Sequence, residues 1–279
     1  MTETVERMLP LYEAKMIHQF DHRWATYEPD GSVRDVTLAE KQDPGFVALP
    51  RYWVREKVVM DRLGDRWDRE WLLGWRDICR STDERTMIAT INGEGASPEG
   101  GTLLSLPEPP HGAPALLALW NSFAFDFVAR QKVGGTHLKY FTMRQLPVPA
   151  PDQLSQRVPW AEVSWKDWLE VRVLELLVDS DDMNALAVDF GVAARRRVWD
   201  MEHRRGVRAE LDAATFHLFG IARDDVDYIM DTFPIVKRKD LAASGSYRTK
   251  ELILEVYDAM QGALDSGQSY LSPFEWEQP

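Results

Sequence analysis

The strongest constraint on the fold is a change of sequence pattern at the proline-rich stretch LPVPAP, residues 146–151. Pro147, Pro149 and Pro151 enforce extended backbone and lack amide donors, so no regular helix or central strand can run through them. Before this stretch, short apolar runs alternate with Gly/Pro loops, whereas after it apolar residues recur at helical spacing. We therefore predict an α+β chain, with a mixed α/β domain followed by a mainly helical one.

The predicted organisation has three parts: a connecting segment at 1–45, the α/β domain at 46–155 and the helical domain at 156–279. Strands are predicted at 71–79, 86–91 and, as a strand or strand-like loop, 136–143. Helices are predicted at 51–63, 114–130, 164–178, 207–219, 223–232 and 248–263. Loops are expected at 28–50 and 92–114.

The charge distribution restricts where a nucleic acid could bind. The chain has 33 basic and 45 acidic residues, a net charge of −12, which excludes a uniformly basic coat. Residues 46–155 are balanced, with 13 of each sign, so a phosphate-facing surface is expected there.

One cysteine excludes a disulfide framework, and neither a signal peptide nor a long apolar run is visible. We expect a cytoplasmic protein without a membrane segment.

Common catalytic motifs are missing from the sequence: there is no GxxxxGKS/T, no strand-borne GxGxxG and no GxSxG. His18 and His22 have the spacing of a helical zinc site but lack a third ligand, so a hydrogen-bonded structural pair is favoured over a metal. Cys79 is interpreted as a buried thiol, and the acidic run at 178–184 as a solvated helix boundary rather than a calcium loop. Catalysis by this chain alone is not supported.

Three segments carry a resemblance to a known family. They are PLYEAKMIHQFDHR at 10–23, WRDICRSTDERT at 75–86 with NSF at 121–123, RQKVGGTH at 130–137 and RQLPVP at 144–149, and RAELDAATFHLFG at 208–220 with DDVDYIMDTFP at 224–234. In this order they resemble the C-terminal half of adenine-specific DNA methyltransferases of the type IIG restriction–modification group and of phage-defence systems such as BREX and DISARM. The Gly-Gly-Thr and Leu-Pro-Val-Pro elements are also similar to the end of target-recognition domains in type I specificity subunits.

The resemblance implies a division of labour. The family methylates the adenine N6 amine with S-adenosylmethionine, using a glycine-rich cofactor motif and an Asn-Pro-Pro-Tyr/Phe motif that holds the flipped base. Neither motif occurs here. We therefore expect no cofactor in this chain, and S-adenosylmethionine on a catalytic domain or subunit carried elsewhere. The expected partners are double-stranded DNA, that methyltransferase partner and other defence-system proteins.

Two polar clusters are candidates for DNA contact, because they offer the side chains that bind phosphates and base edges. The candidates are Arg76, Arg80, Thr82 and Arg85 in the first cluster, and Arg130, Lys132, Gly134, Gly135, Thr136, His137, Lys139 and Arg144 in the second. The first cluster could instead form salt bridges with Asp77, Asp83 and Glu84. The glycines could admit a phosphate to the backbone amides, or could simply end a helix before a strand.

Further basic runs at 195–197, 203–205 and 237–239 could neutralise phosphates or be solvated surface. Aromatic and histidine side chains at 12–24 could pack in the core, on the catalytic partner or on DNA.

The resulting hypothesis is a DNA sequence-recognition module of an N6-adenine methyltransferase. The alternative is a protein-interaction scaffold of a defence complex that does not touch DNA, which the acidic balance favours.

Overall fold

The computed structural model describes residues 6–98, 100–192 and 198–274. It is 49% helical and 13% strand, which confirms the predicted α+β class. The strands are β1 (Met8–Pro10), β2 (Ala25–Tyr27), β3 (Val33–Asp35), β4 (Trp53–Arg55), β5 (Trp71–Arg76), β6 (Ala89–Gly93) and β7 (Thr102–Ser105). The helices are α1 (Leu38–Gln42), α2 (Glu56–Leu63), α3 (Ala113–Asn121), α4 (Phe123–Lys132), α5 (Tyr140–Met143), α6 (Pro151–Leu154), α7 (Trp165–Leu177), α8 (Asn184–Asp189), α9 (Met201–Leu218), α10 (Arg223–Asp231), α11 (Pro234–Ser244) and α12 (Arg248–Ser266).

The largest sheet is antiparallel with the strand order β6-β5-β7. Leu73 in the central strand lies opposite Ile91 of β6 and Ser105 of β7. Strand β5 is buried along most of its length because both of its edges are paired and its faces are covered. Two small antiparallel pairs, β1 with β4 and β2 with β3, complete the sheets of the described residues.

The predicted strands are only partly correct. Strands β5 and β6 form within the predicted segments or at their edge, whereas β7 lies in the stretch predicted as a loop at 92–114. Of the two alternatives predicted for 136–143, the regular strand does not form: His137 makes one antiparallel bridge to Ile78, as a strand-like loop would, and the chain then enters α5. Because β5 ends at Arg76, no regular strand continues alongside residues 138–143.

The predicted helix at 114–130 is two helices, α3 and α4, that meet at an angle of 69°. Ser122 adopts extended backbone between them, and its hydroxyl accepts a hydrogen bond from Phe125 N at 3.2 Å. This is an N-cap, which starts a new helix and so interrupts the old one. The apolar pattern runs through the break and therefore conceals it.

The helical predictions after Pro159 are confirmed for α7, α9, α10 and α12, whereas α11 was not predicted. One continuous cluster of buried apolar residues includes side chains from both sides of residue 155. Across that position α3 packs on α7 and α4 packs on α9. The three-part division of the chain stays a prediction, but its second and third parts share this core.

Within the described residues, no single helix is long and apolar enough to cross a membrane. The bent pair Pro110–Asn121 and Phe123–Lys132 passes the length and composition test only when its two helices are taken together.

Strand β7 lies so close to Gly74 of β5 that a side chain at this position has no room. A Cβ at this position would lie 2.6 Å from Thr102 Cγ2 and 3.0 Å from Leu103 O. We expect Gly74→Ala to lower the free energy of unfolding by about 1–3 kcal/mol, as overpacking does. Urea unfolding would measure this change. The matched control Gly262→Ala, in open space on α12, should be neutral or stabilising; equal effects of the two substitutions would refute the packing argument.

Candidate functional site

The two polar clusters singled out in the sequence lie side by side. They centre on the loop at 77–88, between β5 and β6, and the loop at 133–139, between α4 and α5. We call these two loops, together with the adjoining residues 130–132 and 140–144, the paired loops. Cys79 N donates to Thr136 O at 3.1 Å, and Leu138 N donates to Asp77 O at 2.8 Å. These bonds flank the Ile78–His137 bridge, so the backbone holds the two loops in register.

Asp77, at the start of the first loop, links it to the second loop through its side chain. Its carboxylate is fully buried, and Lys139 Nζ donates to its Oδ2 at 2.6 Å. The Nδ1 atom of His137 lies 3.2 Å from the other carboxylate oxygen. The outer ends of Lys139 and His137 remain partly exposed. The first cluster was expected to pair with Asp77 if it did not contact DNA, but the partners of Asp77 are Lys139 and His137 of the second cluster.

Three of the candidate DNA-binding arginines point into the protein. Arg85 Nε donates to the buried carboxylate of Asp126 at 2.6 Å. Arg130 Nη2 donates to Asp83 O at 2.5 Å and to Glu84 O at 2.8 Å. Arg76 Nε donates to Ile17 O at 3.0 Å. Arg85 and Arg130 hold the loop at 77–88 in place, and Arg76 joins the end of β5 to residue 17, so we correct the assignment of all three from DNA contact to internal support.

Burial lowers the pKa of two of these arginines. The pKa of Arg76 is lowered to about 10, and the pKa of Arg130 is lowered with Asp126 opposing the shift. Both stay protonated at neutral pH. Their charge therefore remains available to hold the backbone carbonyl oxygens that they contact, which are strong acceptors for a cationic donor.

The remaining candidates form an outward-facing set. Arg80, Thr82, Lys132, Gly134, Gly135, Thr136, His137 and Arg144 are exposed, and Lys139 is partly so. Among the described residues, no carboxylate oxygen lies within 4.0 Å of the charged groups of Arg80, Lys132 or Arg144. The exposed carboxylate of Asp83 instead accepts the backbone N–H of Arg80 at 2.8 Å. The paired loops thus present cations that the fold leaves unmatched.

The packing and backbone of the described residues do not require glycine at position 134 or 135. Helix α4 ends at Lys132, and its C-cap residue Val133 is extended, so no left-handed glycine cap is used. Neither Gly134 nor Gly135 has a positive φ, and a Cβ on either would meet nothing within 4 Å. Gly134 and Gly135 therefore do not cap helix α4, which was the alternative explanation for these glycines.

Two apolar side chains stand beside these polar groups. Ile78 is 57% exposed and Phe141, on α5, is 70% exposed. The neighbouring Tyr140 is held differently, because its hydroxyl donates to Leu104 O and its ring packs edge-on against Trp75. The surface of the paired loops therefore combines cations, small polar groups and apolar contacts around an open backbone.

A second feature was not predicted from the sequence: a cavity of about 330 Å³ next to the paired loops. Its wall comes from residues 18–24, α9, α11 and the first turns of α12, with Glu84 and Arg85 on the side of the paired loops. Four arginines, Arg85, Arg204, Arg205 and Arg208, line it. The segments at 10–23 and 208–220 and the basic run at 203–205 were singled out in the sequence, and the fold brings residues of all three to the cavity wall.

His18 and His22 do not share a metal site. The His18 ring lines the cavity and lies against Trp24, with ring centroids 4.4 Å apart. Burial, followed by Arg76 and Arg208, lowers the pKa of His18 to about 3, so the imidazole is neutral. His22 Nε2 lies 3.0 Å from Asp182 Oδ1. Within the described residues, no group of three or more His, Cys, Asp or Glu side chains is arranged to hold a metal.

The acidic run at 178–184 is not a solvated helix boundary, as the sequence suggested, because Asp179 and Ser180 are buried. Asp179 accepts from Arg23 Nη2 at 3.1 Å and from Arg204 Nη1 at 3.3 Å. Arg204 also donates to Phe20 O at 2.7 Å. This arrangement ties residues 20–23, the end of α7 and α9 into one buried polar cluster.

The remaining sequence candidates are distributed as follows. Cys79 is buried, and burial raises the pKa of its thiol to about 12, so it is an unreactive thiol as expected. The basic run at 195–197 lies outside the described residues. Exposed Arg205 pairs with Glu202 at 2.6 Å, and Lys239 pairs with Glu84.

Comparison with protein-family models, with curated proteins and with solved structures finds no match to this chain.

Asp212, in the cavity wall, generates a pH prediction. Burial raises the pKa of its carboxyl to about 6, against the ordinary 3.8, although Arg85 opposes the shift. A folded pKa above the unfolded one means that wild-type stability falls as pH rises from about 4 to 6. Asp212→Asn removes this loss, so the variant should gain up to about 3 kcal/mol relative to wild type between pH 4 and 7.

Denaturant unfolding at a series of pH values measures this difference. The control Asp231→Asn, at an exposed carboxylate whose pKa Lys250 and Lys237 lower, should show no such gain. A constant difference between Asp212→Asn and wild type across the range would contradict the assignment of a raised pKa to Asp212.

Proposed function

We propose that this chain is the DNA sequence-recognition module of an N6-adenine DNA methyltransferase in a phage-defence or restriction–modification system. The paired loops contact double-stranded DNA, and another domain or chain supplies S-adenosylmethionine and methyl transfer. The chain acts in the cytoplasm, where that DNA is found. The three segments that resemble the C-terminal half of such enzymes support the family assignment, and the paired loops are the surface on which recognition would occur.

The observation that carries the proposal is the pair Gly134 and Gly135 beside unmatched cations. Nothing inside the protein requires glycine at either position, since the backbone is not left-handed and the space beyond is empty. A phosphate backbone needs such an opening to reach main-chain amides. Lys132 and Arg80, with no carboxylate of the described residues within ion-pair distance, are free to bind phosphates.

Base contacts are assigned to the side chains that project beyond the backbone of the paired loops. His137, Thr136 and Thr82 are exposed and carry donors or acceptors that can meet base edges. Exposed Ile78 can contact a thymine methyl group. Arg76, Arg85 and Arg130 support the loops from within, as the buried residues of a recognition scaffold do.

The glycines provide the sharpest test. We expect Gly134→Ala and Gly135→Ala each to weaken duplex binding by about tenfold or more, because a methyl group enters the space for DNA. Protein stability should be unchanged or higher by about 0.4–1 kcal/mol, since alanine restricts the unfolded chain. Binding is measured by selection from a random duplex library, and then by titration of the enriched sequence at about 50 and 200 mM salt.

Charge variants provide the controls. Arg80→Ala and Lys132→Ala should each weaken binding and reduce the slope of log K against log salt concentration by about 1. Lys57→Ala, an exposed lysine of α2 paired with Asp61, should leave both unchanged. Wild-type binding by both glycine variants, or no duplex binding at either salt concentration, would reject DNA recognition by the paired loops.

A second candidate function, a protein-interaction scaffold, is favoured by a separate observation. The pairing of β1 with β4 sets Met8 opposite Arg55 and Pro10 opposite Trp53, so Met8 and Trp53 share one face. Large apolar side chains are exposed on and around this pair: Met8, Val47, Leu49, Tyr52, Trp53, Val58 and Met60. We call this set the apolar edge. Such a concentration is typical of a protein-binding surface.

We propose that the apolar edge binds the catalytic methyltransferase chain, so the two functions are compatible. Replacing Met8 and Trp53 with Gln should abolish co-elution with the neighbouring-gene product that carries Asn-Pro-Pro-Tyr/Phe, in size-exclusion chromatography. The control Val188→Gln, at a more exposed apolar residue elsewhere, should co-elute normally. Duplex binding by the double variant should persist, and a complex that survives the double substitution would exclude the apolar edge as the interface.

A further inference from the structure

The cavity beside the paired loops has one basic side chain that its carboxylates do not neutralise. Four of the Lys and Arg side chains in its wall each have an acidic partner: Arg85 with Asp126, Arg204 with Asp179, Arg205 with Glu202 and Lys239 with Glu84. Arg208 does not. Its Nη2 donates to the neutral amide oxygen of Gln19 at 3.1 Å, and no carboxylate oxygen of the described residues lies within 4.0 Å.

The surroundings of Arg208 make this isolation costly. Burial, followed by the like charge of Arg85, lowers its pKa to about 10, although Asp212 opposes the shift, and the guanidinium stays protonated at neutral pH. A partly buried cation without a paired anion is unfavourable unless something compensates it. The partner amide, Gln19, is itself held in place, because its Nε2 donates to Met87 O and Asn121 O. Arg208 is thus held in position at a cavity where an anion would be stabilised.

The other side chains in the cavity wall restrict which kind of anion can bind there. The rings of Trp24 and neutral His18 lie against each other in the cavity wall, tilted by 32°, and Trp24 is 36% exposed, so its ring offers an aromatic contact. Asp212 and Asp240 also line it, so a highly charged polyphosphate would be repelled, whereas an amine would find an acceptor. A volume of about 330 Å³ is at the lower end of ligand pockets, which suits a single nucleotide rather than a dinucleotide.

We propose that this cavity binds a free nucleoside monophosphate with an amino-substituted base, its phosphate on Arg208 and its base against Trp24. The monophosphate supplies the charge that Arg208 lacks. The exocyclic amine donates toward Asp212, and the base stacks on the aromatic wall. The site shares Glu84 and Arg85 with the loop at 77–88, but it does not depend on the DNA-recognition proposal.

Isothermal titration of the full chain with AMP tests the proposal, with adenosine, inorganic phosphate and IMP as comparison ligands. AMP should bind with a dissociation constant below about 1 mM. Adenosine and phosphate should each bind at least about tenfold more weakly, because each lacks one half of the recognition. IMP, which has an oxygen in place of the amine, should also lose about tenfold, since Asp212 then faces no donor.

The variants separate binding from folding. Arg208→Gln should weaken AMP by about tenfold or more, and Arg208→Lys, which keeps the charge, should retain part of the affinity. Arg223→Gln is the matched control, because Arg223 is exposed and paired with Asp258 away from the cavity. Far-UV circular dichroism and the thermal midpoint confirm that each variant is folded.

Three results would overturn the proposal. The first is no heat and no thermal stabilisation of the folded wild type with AMP at millimolar concentration. The second is AMP affinity that folded Arg208→Gln retains in full. The third is phosphate binding as tight as AMP binding, which would leave an anion site without nucleotide recognition.

Discussion

The buried carboxylate of Asp126 is the interaction on which the functional surfaces depend. It accepts from Arg85 Nε at 2.6 Å and from Thr86 N at 3.1 Å, and so joins the first turn of α4 to the loop at 77–88. That loop contributes one half of the paired loops and one wall of the cavity. Because Asp126 has no exposed surface, removing its charge would leave Arg85 buried and unpaired. A single carboxylate thus positions both candidate sites.

Regular helices with a clear apolar face could be predicted from the sequence, and interrupted elements could not. Helices α9 and α12 pack against each other along stripes of helical spacing, so their positions were readable. The break at Ser122 depends on one hydroxyl acting as a cap within an apolar run. Strand β7 depends on pairing with β5, which local sequence does not encode. The capping box of α1, formed by Thr37 and Glu40, was readable but lay in a stretch interpreted as a loop.

The candidate site shows the same limit at the level of single side chains. Residues 76–86 and 130–145 were selected correctly as polar clusters, yet their adjacency arises from the Ile78–His137 bridge between distant parts of the chain. Which arginines face inward is decided by remote acceptors, such as Asp126 for Arg85 and Ile17 O for Arg76. In the sequence nothing distinguishes Arg204, Arg205 and Arg208, and only the fold leaves Arg208 without a carboxylate partner among the residues that the structure describes.

The buried cluster around Arg204 has a consequence for how the chain is made. Arg204 donates to Phe20 O, and both Arg204 and Arg23 depend on Asp179, so two of these contacts, Arg204 with Phe20 and Arg23 with Asp179, join residues separated by most of the sequence. During synthesis, residues 18–24 leave the ribosome long before α9 exists, and their buried polar partners are absent until then. Contacts of such long sequence separation form late and slowly. The N-terminal segment is therefore expected to be the last part of the described fold to become protected from proteases as the chain emerges.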